Sequence, residues 1–175
     1  TAEKAAVQRL TPLQASASFL SIASNGTVAL LAGNAKQPDE VHLLNAGIKP
    51  TALQRLSHQN DEWVSSLQWG RTQEFSATSR DGTDVHGLVT LPANYQAGQK
   101  YPTVLLIHGG PNAQDVHRLA GDSHLMRELL SGQGYVVLQV NYRGSSGRGD
   151  AFQQAIFADW GNKEVQDLHG AVDWA

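Results

Sequence analysis

The sequence predicts an α/β fold in which a β-rich segment precedes a parallel sheet. Two continuous apolar runs, residues 103–107 and 135–140, are typical of strands that are buried on both faces. The stretch between them, residues 122–130, has a helical pattern, so strand, helix and strand form a βαβ unit. We therefore expect two adjacent, parallel and buried strands.

The first 70 residues or so have the pattern of short antiparallel strands. Asn25-Gly26 separates two strand-like runs, 17–23 and 27–32, and predicts a hairpin with a two-residue turn. The next expected elements are a turn at Pro38-Asp39, a strand at 40–44, a turn at 45–50 and a strand at 51–56. This is about one propeller blade, which buries too little surface to be stable alone, so we expect the protein to begin further upstream.

A second hairpin opens the other half of the chain. Strand-like residues 75–79 and 85–91 flank a turn that contains Asp81-Gly82, and Pro92 is expected to end the second strand. A hairpin followed by a βαβ unit fits the opening of an α/β-hydrolase sheet. An exposed edge position for either parallel strand, or antiparallel pairing between them, would rule this assignment out. The same order of elements fits a dinucleotide-binding unit less well, because neither glycine-rich loop has G-x-G-x-x-G spacing.

The motif His108-Gly109-Gly110-Pro111 directly follows the first apolar run. Chemistry in parallel sheets gathers where strands end at their carboxyl side. Adjacent glycines there let backbone N–H groups approach a ligand closely, as in the oxyanion loop of α/β-hydrolases. A tight turn in which glycine only relieves strain is the alternative.

The C-terminal part predicts two helices, at 150–157 and 164–174. The sequence stops at Ala175, inside the second of these helices and before another strand of the sheet. We therefore expect the chain to be a piece of a longer protein.

Composition excludes several classes of function. The 175 residues carry a net charge of −3, which provides no electrostatic basis for binding nucleic acid or an anionic membrane. There is no cysteine, and no signal peptide or membrane span is visible in this stretch, which leaves the compartment open. We expect no cofactor and no metal, because His117, His124 and Asp122 lack a metal-binding spacing and fit a solvated loop.

Residues 74–175 resemble the prolyl oligopeptidase family of serine peptidases, especially its acylaminoacyl-peptidase and dipeptidyl-aminopeptidase-like branches. The order and spacing of several motifs carry this resemblance. They are Glu74-Phe75, Ser79-Arg80-Asp81-Gly82, Gly87-Leu88-Val89, residues 101–111, Gly134-Tyr135-Val136-Val137, residues 141–147, Asp159-Trp160-Gly161 and Asp167-Leu168. Residues before 74 match the end of that family's propeller more weakly.

The resemblance implies a two-domain enzyme that cleaves short peptides. Residues 1–72 would be the end of a propeller plus a linker, and 73–175 the first part of an α/β-hydrolase domain. The family's Ser, Asp and His catalysts cannot be assigned here, since no serine, including Ser145 and Ser146, has glycine at both −2 and +2. What the resemblance transfers is the oxyanion donor, the backbone N–H of Gly110.

Structural roles are expected for two further side chains. We expect His108 to pack and hydrogen-bond so that it orders the glycine-rich loop, and a direct contact with the substrate is the alternative. Arg143 is expected to tie loop backbone or a carboxylate together, with Asp159 and Asp167 as candidate partners.

Three interpretations remain open at this point. The chain is part of a serine peptidase, the non-catalytic half of a split or nicked enzyme completed by a second chain, or part of a related esterase. In each case the 175 residues alone are expected to be inactive, because they contain no nucleophile elbow.

Overall fold

The computed structural model describes residues 9–11, 14–44 and 53–175, apart from the side chain of Asp122. Contacts divide the chain into two compact units. Unit 1 comprises Thr1–Leu67 with His117–Ala120, and unit 2 comprises Gln68–Val116 with Gly121–Ala175. None of the helices in the described ranges has the length and hydrophobicity needed to cross a lipid bilayer.

Unit 1 is built on an antiparallel sheet. Its strands are β1 (Ser16–Ile22), β2 (Val28–Asn34), β3 (Gln37–Leu44) and β4 (Gln54–Arg55), in the order β1-β2-β3-β4, followed by helix α1 (Asp61–Ser65). Leu30, Ala32 and Leu44 form its small buried core. The predicted hairpin between β1 and β2 is confirmed.

The turns of unit 1 differ from the expected ones in detail. The predicted two-residue turn is a three-residue loop, in which Ala23 pairs with Thr27 and Gly26 has φ 81°. A left-handed glycine closing such a loop is a common bulged arrangement. The predicted turn at Pro38 is wrong, because the turn lies at Ala35-Lys36 and the proline sits inside β3, where the pairing register with β2 shifts. The turn expected at 45–50 lies outside the described residues.

Glu40 of β3 is the polar centre of unit 1. Its carboxylate is buried, accepts hydrogen bonds from the Asn60 backbone (3.1 Å) and side chain (3.0 Å), and contacts Ser57 and Arg55. Burial tends to raise the pKa of this carboxyl, but the hydrogen bonds from Ser57 and Asn60 outweigh it and hold the pKa at about 2. The interactions of Glu40 attach the segment after β4 to β3.

Unit 2 contains a mixed sheet and three helices. Its elements are β5 (Arg71–Thr78), β6 (Asp84–Leu91), β7 (Thr103–Leu106), α2 (Gly121–Gly132), β8 (Val136–Asn141), α3 (Asp150–Gln154) and α4 (Lys163–Trp174). The strand order is β5-β6-β8-β7. The β5–β6 hairpin, its Asp81-Gly82 turn and the end of β6 before Pro92 are confirmed. So is the βαβ unit, since β7 and β8 are adjacent and parallel.

The expectation that both parallel strands are buried is wrong for β7. β8 lies between β6 and β7 and is buried from Val136 to Val140, whereas β7 is an edge strand of the described sheet and none of its residues is fully buried. Ile107, just beyond β7, is 54% exposed. Both strands are rich in apolar residues. An apolar composition shows that a strand can be buried, but it does not specify the position of the strand in the sheet.

The helix predicted at 150–157 is also shorter than expected. α3 ends at Gln154, and the chain then turns through Ile156, which is buried, and Ala158, which has a positive φ of 57°. The helix predicted at 164–174 is confirmed as α4, and Trp174 near its end stacks on Phe75 of β5 with ring centroids 4.4 Å apart. α4 thereby covers one face of the sheet.

Candidate active site

The two loops that follow β7 and β8 meet at the carboxyl ends of these strands. Because the strands are parallel, their carboxyl ends lie side by side, as expected for a functional site in such a sheet. The first loop begins with His108-Gly109-Gly110-Pro111 and the second comprises residues 141–147. The sequence identified both loops but not the contacts between them.

His108 is held by residues of the second loop. Its ring stacks on the ring of Tyr142, with centroids 4.6 Å apart and planes inclined by 16°. The Tyr142 hydroxyl donates to the His108 carbonyl oxygen (2.6 Å), and His108 Nε2 lies 3.0 Å from the Ser145 hydroxyl. Nδ1 lies 3.0 Å from the Gly109 carbonyl, so a proton on Nδ1 leaves Nε2 to accept from Ser145. These contacts bear out the structural role expected for His108.

The Ser145–His108 pair resembles part of a catalytic triad but lacks its other requirements. Ser145 is fully buried, so its hydroxyl cannot reach a substrate carbonyl. It lies in a turn closed by its own N–H and the Tyr142 carbonyl (2.9 Å), and not in a strand-to-helix elbow. Within the described part of the chain, no carboxylate hydrogen-bonds to the His108 ring. The pair therefore positions the loop.

Gly110 has a conformation that a side chain would oppose. Its φ is 125°, and a Cβ atom built on it would lie 2.9 Å from the Ala113 nitrogen. Gly109, by contrast, has open space around the position of a Cβ. Both glycines are exposed, and among the described residues neither of their N–H groups has a hydrogen-bond acceptor. The loop thus presents free backbone donors to solvent at the sheet edge.

Asp115 anchors the far end of the first loop. Its backbone N–H donates to Asn141 Oδ1 (2.7 Å), and Asn141 Nδ2 donates to its carbonyl (2.9 Å). Its Oδ1 accepts from Gln139 (2.7 Å), whose own Oε1 accepts from the buried Arg127 (3.3 Å). Gln139 and Asn141 belong to the end of β8, so the loop is fastened to the central strand of the described sheet.

The Asp115 carboxyl is buried, and among the described residues its Oδ2 has no hydrogen-bond partner. Burial raises the pKa of this carboxyl, while the charges of His108 and Arg127 and the hydrogen bond from Gln139 oppose that rise. Sequence reasoning missed Asp115, and it singled out the loop with Tyr142 and Ser145 without predicting the contacts that these two side chains make with His108. Their only sequence signal was their position in loops that follow parallel strands.

Arg143 fastens the second loop to the rest of unit 2. The guanidinium forms a two-pronged ion pair with Asp167 of α4, in which Nη2 lies 2.7 Å from Oδ1 and Nε lies 3.1 Å from both carboxylate oxygens. The Arg143 backbone N–H also donates to Asp167 (2.7 Å). Nη1 contacts Asp81 in the β5–β6 turn. Of the two predicted partners, Asp167 is confirmed, whereas Asp159 instead contacts Asn162 and Lys163.

The three residues considered for a metal do not form one solvated loop. His117 is buried in unit 1, and His124 is half-buried on α2. Over the described ranges, no group of three or more potential ligands could hold a metal ion. The side chain of Asp122 lies outside the described part.

Fold and loops define a mixed α/β protein with a glycine-rich loop at the carboxyl end of a parallel strand. The model of the prolyl oligopeptidase family matches residues 122–175. The uncharacterized peptidase YuxL of Bacillus subtilis is 31% identical over 151 residues, 79% of this chain and 22% of that protein. Dipeptidyl aminopeptidase BIII of Pseudoxanthomonas mexicana is 39% identical over 103 residues, 55% of this chain and 14% of that protein. Residues 122–175 therefore belong to the prolyl oligopeptidase family, and the chain is similar to peptidases over a larger part of its length.

Solved structures agree at the level of the fold. A Pyrococcus horikoshii acylaminoacyl peptidase superposes with a TM-score of 0.80 at 20% identity, over 98% of this chain and 26% of that one. An acylaminoacyl peptidase in complex with Z-Gly-Gly-Phe-chloromethyl ketone gives a TM-score of 0.79 at 21% identity, over 92% and 24%. The chain thus spans about a quarter of these structures and a smaller share of the two curated relatives.

Proposed function

We propose that this chain is part of a serine peptidase that hydrolyses short peptides through an acyl-enzyme, and that it supplies one oxyanion donor, the backbone N–H of Gly110. The observation that carries the proposal concerns Gly110, an exposed residue whose N–H has no acceptor among the described residues and whose φ of 125° excludes an unstrained side chain. Family membership and the peptidase names of the relatives support peptides as the substrate class.

The loop geometry suits this chemistry. In acyl transfer, negative charge develops on the carbonyl oxygen only in the tetrahedral transition state, so a fixed N–H stabilises the transition state more than the substrate. His108 and Asp115, which flank the glycines, are both fastened to residues that follow or end β8. A loop that is already held in place loses little free energy to reorganisation when the charge appears.

The proposal also includes the domain organisation. Residues 1–72 are the end of a propeller and residues 73–175 the first part of the hydrolase domain. The serine nucleophile, the acid and the base lie in parts of the protein other than these residues. The N–H of the residue after that serine is the second oxyanion donor.

The test is the substitution of Gly110 by valine in the full-length protein. We expect kcat on a chromogenic aminoacyl or dipeptidyl substrate to fall about 10²–10³-fold, with a smaller change in KM, because one oxyanion donor is lost. Gly109→Ala is the matched control, since its Cβ meets no other atom and the backbone there needs no positive φ.

Thermal unfolding of both variants separates a lost donor from a lost fold. A folded Gly110→Val protein whose kcat stays within a few-fold of the parent would refute the assignment of the oxyanion donor. A parent protein that cleaves no peptide and is not labelled by a serine-directed phosphonate would refute the peptidase itself.

A further inference from the structure

The side chain of Asp115 places a carboxyl in the interior of unit 2, shortly after the motif that contains Gly110. Only 6% of the residue is exposed, and Oδ2 accepts no hydrogen bond within the described part of the chain. A buried carboxylate that lacks a partner for one oxygen lowers the stability of a fold. An apolar residue of similar size would avoid this loss, so the presence of the carboxylate needs an explanation other than stability.

The other oxygen of the carboxyl is connected to a buried cation through one amide. Gln139 of β8 donates from Nε2 to Asp115 Oδ1 (2.7 Å) and accepts at Oε1 from Arg127 of α2 (3.3 Å). The side chains of Gln139 and Arg127 are both buried. The amide directs its positive end at the carboxyl and its negative end at the guanidinium, so the arrangement is complementary to an ionised Asp115.

Charged and titratable groups on neighbouring elements act on Asp115. Burial raises the pKa of Asp115 above its ordinary value of 3.8, whereas the charges of His108 on the same loop and Arg127 on α2 oppose this rise. Glu128 pairs with Arg127 (3.0 Å) and compensates part of its charge. On the second loop, burial and the charge of Asp115 raise the pKa of the Tyr142 hydroxyl, which donates to the His108 carbonyl. Asp115 therefore loses its proton at a higher pH than an exposed aspartate.

A short turn connects the position of Asp115 to that of Gly110. Gly110 lies against the Ala113 backbone, since a Cβ built on the glycine would lie 2.9 Å from the Ala113 nitrogen. The Ala113 carbonyl accepts from the Ser146 N–H (3.2 Å), and the Asp115 N–H donates to Asn141 (2.7 Å). Because the turn is packed at both ends, a displacement of Asp115 changes the direction of the Gly110 N–H.

We propose that Asp115 is a positioning residue for the glycine-rich loop, and that its buried charge is retained because it holds the Gly110 N–H in the direction that the oxyanion requires. The inference rests on the proposed function. Ionised Asp115 attracts the positive end of the Gln139 amide and, beyond it, the guanidinium of Arg127, which holds the turn against β8 and α2. Protonation of Asp115 removes this attraction and loosens the turn.

The first test compares kcat and KM of the full-length parent and Asp115→Asn on a chromogenic peptide, from about pH 4 to about pH 8. At the upper end we expect kcat to be about 10- to 100-fold lower in the variant, the equivalent of one charge-assisted hydrogen bond, with KM within about twofold. As the pH falls through the pKa of Asp115, the ratio of the two kcat values should approach one, because the parent loses the same charge. Groups common to both proteins, the catalytic base included, cancel in this ratio.

The melting temperature should not fall with kcat. Because the pKa of Asp115 is higher in the folded protein than in the unfolded chain, its contribution to stability is complete below pH 3.8 and is lost as the pH rises through the folded-state pKa. At neutral pH, Asp115→Asn should therefore melt at the same temperature as the parent or at a higher one. A residue with a merely structural role would lower kcat and the melting temperature together.

Asp150→Asn is the control variant, because Asp150 is an exposed carboxylate on α3 that pairs with Gln154 (2.8 Å). Its kcat should match that of the parent at every pH. Hydrogen exchange of the Asp115 and Ser146 amides in the parent is a second measurement, which depends neither on the folding of a variant nor on turnover. Relative to the intrinsic rate at each pH, the protection of these two amides should fall as Asp115 is protonated.

A kcat ratio between parent and Asp115→Asn that does not change with pH overturns the proposal, as does a fall in melting temperature that accompanies the fall in kcat. Protection of the two amides that stays constant over the same pH range also overturns it, including where Asp115→Asn does not fold. A parent that cleaves no peptide refutes the proposed function, and the exchange measurement then still decides whether the charge of Asp115 holds the turn.

Discussion

Replacing Asp167 by asparagine should destabilise unit 2 much more than removing a partly exposed carboxylate near the second loop. The Asp167 side chain is fully buried and the Arg143 side chain is 6% exposed. Asp167 accepts from both Nη2 and Nε of the guanidinium and from the Arg143 backbone N–H. Asparagine has the same shape but no charge, so it leaves a buried cation whose other counter-ion, Asp81, is 41% exposed.

The expected loss in the free energy of unfolding follows from the removal of the buried counter-ion of Arg143. Removing one partner of a buried pair costs about 3–5 kcal/mol, because the remaining charge keeps its desolvation penalty and loses its attraction. The double variant Arg143→Met/Asp167→Leu removes both charges, and we expect it to be less destabilised than Asp167→Asn alone. Asp159→Asn is the matched control, since Asp159 is partly exposed and does not contact Arg143. Its effect should be below about 1 kcal/mol.

The assay is denaturant unfolding of the full-length protein, combined with hydrogen exchange of the α4 amides. Hydrogen exchange localises the effect to the helix that carries Asp167. Arg143 adjoins Tyr142, which holds His108, so kcat should fall together with α4 protection. The reasoning is refuted if Asp167→Asn and Asp159→Asn have equal effects on unfolding and on exchange.

Three further predictions concern Ser145, Asp81 and the activity of the 175 residues alone. Ser145→Ala should lower kcat by less than about tenfold, the equivalent of one hydrogen bond, and loss of all activity would instead make Ser145 the nucleophile. Hydrogen bonds from Arg143 and Thr83 lower the pKa of Asp81 from 3.8 to about 2. The stability that Asp81 contributes is therefore complete above pH 3.8, the pKa of the unfolded chain, and is lost as the pH falls through the folded-state pKa of about 2. In acid denaturation, the difference in stability between the parent and Asp81→Asn should shrink over that pH range. The 175 residues alone should not turn over a chromogenic peptide, and turnover abolished by replacing a serine within them would contradict the assignment of the nucleophile to another part of the protein.

Local elements of this fold could be predicted from the sequence because their causes are local. The Asn25-Gly26 and Asp81-Gly82 pairs mark both hairpins, because glycine accepts the positive φ that each loop requires. The apolar run of β8 and the helical periodicity of α4 identify their elements for similar reasons. The motif that contains Gly110 could be recognised because it directly follows the apolar run of β7 in the sequence.

The contacts that organise the site could not be predicted in the same way. Tyr142 stacks on His108 and Asn141 pairs with Asp115 only because β7 and β8 are neighbours in the sheet. Asp159 lies before α4 and Asp167 on α4, so the choice between them as partner of Arg143 likewise depended on whether α4 meets the loop. Such contacts join residues about 25 to 35 positions apart, and no local pattern specifies them.

β7 is an edge strand of the described sheet, although its apolar composition is typical of a buried strand. We expected an exposed edge to rule out the hydrolase fold, yet the superposition on acylaminoacyl peptidases covers nearly all of this chain. The two findings are compatible, because those structures are about four times as long as this chain, and an apolar edge strand with a free row of backbone groups can accept a further parallel strand. The edge position of β7 in this chain is therefore compatible with the hydrolase fold. The residues of unit 2 form a mixed sheet in which β7 pairs in parallel with β8, and this pairing brings the loops after the two strands together.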